Sequence, residues 1–135
     1  MTLSRTTLAI DRELLERFDE WLQGRGYANR SEAVRDLLRA ALVQQQWQEP
    51  QAQVVGVLSV IFDHDARDLA QEVTGIQHRD HHAVLCSQHV HLDHHRCLEV
   101  ILLKGSASRL RRMADAIRTT KGVLAGDLTL LSQDV

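Results

Sequence analysis

Seven of the chain's eight histidines, His78, His81, His82, His89, His91, His94 and His95, fall in one short window that also holds both cysteines, Cys86 and Cys97. Imidazole and thiolate are the borderline and soft donors that transition metals prefer, and such clustering is hard to obtain by chance. His89 and His91 lie two apart on a run that reads as a strand, so both side chains project from one face and can chelate a single ion. The neighbouring strand begins at Cys97, and a hairpin joining the two would bring its sulfur close to the histidine pair. His78, near the end of the preceding helix, is not placed by strand counting. Taken as a fourth donor, it completes three imidazoles and one sulfur. No carboxylate belongs to this set, which excludes Mg(II) and Ca(II) and leaves Ni(II), Cu or Zn(II). Geometry separates these ions, because low-spin Ni(II) favours a square plane and Zn(II) a tetrahedron.

The remaining candidates carry less. Counting in twos from His89 puts Cys86 on the opposite face of the strand, where a buried small apolar residue is expected. His94 and His95 occupy a turn and His81 and His82 follow a helix, all in positions that suit solvated residues or weak secondary metal sites. His64 follows a strand between Asp63 and Asp65 and stays undecided between surface residue and ligand.

The elements that must position these groups form a βαββαβ series: a strand over 54–62, a helix over 66–77, strands over 83–92 and 97–104, a helix over 106–120 and a strand over 123–131. That order is the split βαβ arrangement of ferredoxin-like domains. Ahead of it, residues 5–10 alternate with Leu8 and Ile10 on one face and Arg5, Thr7 and Ala9 on the other, as a half-buried strand does. An amphipathic helix from Asp11 stops at Gly24-Arg25-Gly26, and Asn29 and Glu32 suit the cap of a second helix running to about Gln46. Residues 44–53, rich in Gln and holding the only proline, Pro50, read as a connection. The expected organisation is therefore an N-terminal module over 1–48, a linker over 49–53 and an α+β domain over 54–135.

A net charge of −2 on 135 residues gives no overall basic character, so any affinity for nucleic acid has to be argued locally. The longest apolar stretches fall far short of a membrane span, and the first residues lead into no signal-type hydrophobic segment, so a cytoplasmic protein without membrane contact is expected. There a thiol among histidines is more often a ligand than half of a disulfide.

A lone strand over 5–10 leaves backbone groups unpaired, and its simplest partner is its own copy. Two chains pairing antiparallel would pack Leu8 and Ile10 onto four helices and turn Arg5, Thr7 and Ala9 outward on a ribbon that fits the major groove. Thr7-Leu8-Ala9-Ile10-Asp11-Arg12-Glu13-Leu14-Leu15 and Gly26-Tyr27-Ala28-Asn29-Arg30-Ser31-Glu32-Ala33-Val34 resemble the ribbon-helix-helix DNA-binding proteins. The resemblance implies that Asn29, Arg30 and Ser31, at the start of the second helix, hold a DNA phosphate through backbone N–H groups.

From Arg5 to about Leu131 the chain resembles the nickel-responsive transcriptional regulators, which join a ribbon-helix-helix arm to an ACT-like domain. Gln77-His78, His89-Val90-His91 and Cys97-Leu98-Glu99-Val100 carry that likeness. It implies a nickel-responsive repressor with Ni(II) as corepressor, controlling nickel uptake genes through double-stranded operator DNA. It further implies a homotetramer built as a dimer of dimers, with His89, His91 and Cys97 from one subunit and His78 from another around each nickel. A potassium ion held by Glu32 and Asp36, and a phosphate contact from Arg67, follow from the same likeness. The sequence departs at Ala9, where some relatives carry a polar reading residue, and in the histidine run after His78. Nothing points to an enzyme: four protein donors leave no open coordination position, and no acid or base accompanies them. A storage protein or chaperone for Ni, Cu or Zn would explain the ligands but not the arm, and an antitoxin the arm but not the ligands.

Overall fold

The computed structural model describes residues 2–66 and 69–135. The chain divides into two compact units, one up to Ala40 and one from Ala41 onward.

In the first unit, Thr2 to Asp11 has no regular structure and is exposed throughout. A strand alone has no ladder to join, so the ribbon expected over 5–10 cannot close within one chain. Helix α1 (Arg12–Gly24) starts at Asp11, whose carboxylate accepts from the Leu14 N–H at 2.9 Å. It ends before Gly26, whose φ of 76° suits the turn toward the next helix. Helix α2 (Arg30–Gln48) opens with Asn29 Oδ1 accepting from the Glu32 N–H at 3.0 Å, which is the cap read from the sequence. Among the described residues of this unit only Leu22 and Ala33 are buried, while Leu8, Ile10, Leu14, Leu37 and Leu38 stand exposed. So small a core leaves much apolar surface uncovered for a module of this size.

The second unit is a four-stranded antiparallel sheet in the order β2-β3-β1-β4, from β1 (Gln53–Asp63), β2 (Val84–His91), β3 (Arg96–Ser106) and β4 (Val123–Leu131). Helices α3 (Leu69–Arg79) and α4 (Ala107–Arg118) complete the βαββαβ series. Alternation in β1 sends Val54, Leu58, Val60 and Phe62 into the core, where they join Leu69, Val73, Leu110, Met113 and Ile117 from the helices. The α+β architecture expected from the element order is the one present.

The connection at 44–53 is less of a linker than its composition suggests. Trp47 is almost wholly buried in the core of the second unit and donates its indole N–H to the Leu131 carbonyl at 3.0 Å. Gly56 makes the room: a Cβ there would come within 3.2 Å of the indole. Ala52 N–H donates to Glu49, and the Ala52 and Pro50 carbonyls accept from Ala107 and Ser108. The last turns of α2 thus belong to the second unit, and the division falls at Ala40/Ala41, earlier than the 49–53 read from composition. A buried indole outweighs polar neighbours in deciding where a segment packs.

Among the described residues no helix is long and apolar enough to cross a membrane.

Candidate functional site

Register in the β2–β3 hairpin sets the face that carries the candidate metal ligands. His89 pairs with Glu99 and His91 with Cys97, so all four side chains stand on the sheet face that carries the core. Across β3, Phe62 pairs with Cys97 and Asp63 with Arg96, which delivers His64, just past the end of β1, to the same corner. One ligating atom each from His64, His89, His91 and Cys97 lie within 4.8 Å of one another. Cys97 Sγ is 3.3 Å from His64 Nδ1 and 3.4 Å from His91 Nδ1. Three imidazoles and a thiol without a carboxylate fit a borderline transition metal such as Ni(II), Cu or Zn(II).

Glu99 orients this set from beneath. Its buried carboxylate accepts from His89 Nδ1 and from Gln77 Nε2, both at 3.0 Å. Fixing the tautomer in this way leaves His89 Nε2 free to ligate. Burial, and then the carboxylates of Asp93, Glu99 and Asp65, push the Cys97 thiol up, so a metal must displace a proton to reach the sulfur. Two loops hold the rim. His64 N–H donates to the His95 carbonyl at 2.7 Å, and the His95 ring pairs with Asp65 at 2.7 Å, an interaction that raises the imidazole's pKa. Asp93 accepts from the His95 and Arg96 N–H groups, and these bonds hold its carboxyl below the usual range.

His78, the fourth donor expected from the sequence, does not enter the quartet of its own chain. It is exposed near the end of α3, beside the buried Gln77 that reaches Glu99. His64 is the member that the sequence alone does not decide; the signal for it is its place just past β1, whose end pairs antiparallel with the start of β3 at Arg96 and Cys97. Glu99 was readable as a lone carboxylate in an apolar strand, two residues from Cys97. Cys86 lies on the opposite face of β2, away from α3 and α4, and is exposed rather than buried. His81 and His82 stack on each other with ring centroids 3.8 Å apart.

In the first unit Arg5, Thr7 and Ala9 are exposed. Asn29, Arg30 and Ser31 stand exposed at the start of α2, whose first N–H groups lack intrahelical acceptors, apart from the one Asn29 itself satisfies. The Arg30 guanidinium forks onto Asp19 at 2.7 and 2.6 Å, and this bond holds the Asp19 carboxyl below the usual range. Glu32 and Asp36 line a cleft of about 340 Å³ with Tyr27, Arg35 and Arg39. Asp36 there already accepts from the Tyr27 hydroxyl at 3.1 Å and from Arg39 at 3.3 Å. Arg67 lies outside the described residues.

Comparison with known proteins agrees with both halves. Residues 55–131 match the family described as NikR C terminal nickel binding domain, and residues 4–45 match ribbon-helix-helix protein, copG family. A protein of Solibacter usitatus named as a nickel-responsive regulator is 49% identical over 95% of this chain and 92% of its own length. One of the same description from Nitratidesulfovibrio vulgaris (strain DSM 19637 / Miyazaki F) is 46% identical over 93% of this chain and 91% of its own. An uncharacterized protein of Thermotoga maritima shares the fold alone, with a TM-score of 0.54 and 12% identity over 59% of this chain and 99% of its own. A ribbon-helix-helix segment followed by a nickel-binding domain, in one chain related to such proteins over nearly its whole length, is a regulator and not an enzyme: it belongs to the nickel-responsive regulator family.

Proposed function

We propose that the protein is a nickel-dependent repressor in which Ni(II) acts as corepressor at operator DNA of nickel uptake genes, and that it works in the cytoplasm. The observation that carries this reading is the convergence of His89, His91 and Cys97 on one face of the β2–β3 hairpin, with Glu99 bonded to His89. His78, exposed and outside its own quartet, is free to serve a second protomer, so the proposed site is His89, His91 and Cys97 with the partner's His78. Four strong donors of this kind suit a square-planar Ni(II) ion. His64 supports a second arrangement, a set complete within one chain, which would suit a tetrahedral ion.

Assembly follows from uncovered apolar surface. The first units would pair through the 5–10 segment, placing Arg5, Thr7 and Ala9 in the major groove and the α2 N-terminus, at Asn29, Arg30 and Ser31, on the backbone. The second units would meet through the sheet face away from the helices, where Val90, Leu102 and Leu131 are exposed. Together these contacts give a dimer of dimers. Metal favours the DNA-binding arrangement only as far as it stabilises that arrangement over the others. Arg67 as a phosphate contact and K+ at Glu32 and Asp36 belong to the same proposal by family likeness, and Asp36 would have to exchange Arg39 for the ion.

Operator binding measured without metal, with Ni(II) and with Zn(II) tests the reading. Nickel should tighten binding at least tenfold and zinc less. Equal affinity in all three conditions would refute the switch and leave a DNA-binding protein that merely holds metal.

A further inference from the structure

On the helical layer, away from the metal quartet, a cleft of about 280 Å³ opens between α3 and α4. Arg79 enters it from the end of α3, and Arg109 and Arg112 enter from α4, over a floor that includes Ile76 and Met113. Among the described residues Asp80 is the one carboxylate in the wall, and it is bonded to Arg109 Nε at 2.9 Å. Among the described residues Arg79 and Arg112 form no ion pair. The chain as a whole is slightly acidic, with a net charge of −2, so this gathering does not reflect a generally basic surface. Three guanidinium groups drawn from two elements, with one counter-charge, repel one another unless an anion joins them.

We propose that this cleft binds a small phosphorylated ligand. Guanidinium groups present planar forks that match phosphate oxygens, and a dianionic phosphate uses several forks at once where a single carboxylate uses fewer. The cleft volume lies just under the range of about 300–1,000 Å³ common for small-molecule sites, enough for a phosphate with a modest organic body. Ile76 and Met113 offer that body an apolar surface. Asp80 competes with the ligand for Arg109, and so it sets a threshold for binding.

The test is calorimetric titration of the full-length protein with adenosine 5′-monophosphate, with inorganic phosphate and adenosine alone as its two halves. The monophosphate should bind more tightly than either half. Arg112→Ala and Arg79→Ala should each weaken it at least tenfold, while Asp80→Asn should tighten it severalfold by releasing Arg109. The nickel-thiolate absorption should be the same in all variants, so loss of the metal site is read separately from loss of this one. Binding that is unchanged in the Arg79→Ala/Arg112→Ala double variant, or weakened by Asp80→Asn, overturns the proposal. If those variants alter operator affinity but no phosphate compound binds, the cleft is a DNA-backbone contact and the proposal is again overturned.

Discussion

At the residue scale the site depends on a sulfur and a carboxylate two positions apart on β3. Cys97 is the only sulfur in the quartet, so in the proposed site its thiolate alone would give nickel a sulfur-to-metal charge-transfer transition. Cys97→Ala should therefore abolish that near-ultraviolet band; a band of unchanged position and strength would mean the sulfur is not a ligand. Glu99 acts through His89. Glu99→Gln keeps the shape and removes the charge that holds the imidazole, and a partner of this kind is worth about 10–100-fold in metal affinity. Competition against a chelator should show a loss in that range with the charge-transfer band retained. An affinity within twofold of the parent would reduce Glu99 to a satisfied core residue.

Asp19 and Arg30 pose a separate question at the same scale. The fork between them occupies the Arg30 side chain, so any contact of that residue with a DNA phosphate is left to its backbone N–H. The folded state lowers the pKa of Asp19 below its unfolded value. Whatever this pair contributes is present above the ordinary carboxylate range and is lost as pH falls through the depressed value. Asp19→Asn should lower the melting temperature slightly at neutral pH, and the difference from the parent should vanish in acid. A gap that persists in acid would assign the effect to something other than the ion pair.

Among the elements, α2 departs most from what its sequence suggests. Gln-rich, proline-terminated residues read as a connection, yet Trp47 is locked between the sheet and α4, with the Arg111 guanidinium 5.5 Å from its ring centroid. Trp47→Ala should destabilise the second unit by about 3–5 kcal/mol, measured by chemical denaturation. A loss below about 1 kcal/mol would restore the segment to a linker. Strand alternation made β1, β3 and β4 legible, and the apolar spacing of α4 did the same for the helices, because half-buried elements write their period into the sequence. The hairpin that brings His89 and His91 to the face of Cys97 was legible for the same reason. His64 was not, because its approach depends on the register between β1 and β3, and strands separated by a helix do not fix that register locally. The strand expected over 5–10 is not formed in a single chain, since the proposed ladder would need the same segment of a second copy.

For the whole molecule, the decisive surface in the proposed assembly is the sheet face opposite α3 and α4. Cys86, Gln88 and Val90 of β2 pair with Leu102, Val100 and Leu98 of β3, and Val57 and Ile61 continue the patch on β1. A contiguous apolar face of this kind marks an association site, and in a two-fold arrangement one substitution appears twice. Leu102→Lys would set two ammonium groups into that contact, whereas pairing through the N-terminal segment would be untouched. Sedimentation should then show a particle of about half the parent mass. Nickel decides what the loss means. If the fourth donor is the partner's His78, the variant must also lose the square-planar spectrum, because His89, His91 and Cys97 would keep only His64 to complete their set. Should the mass halve while the nickel spectrum stays as it was, the four donors come from a single chain and the metal does not join subunits.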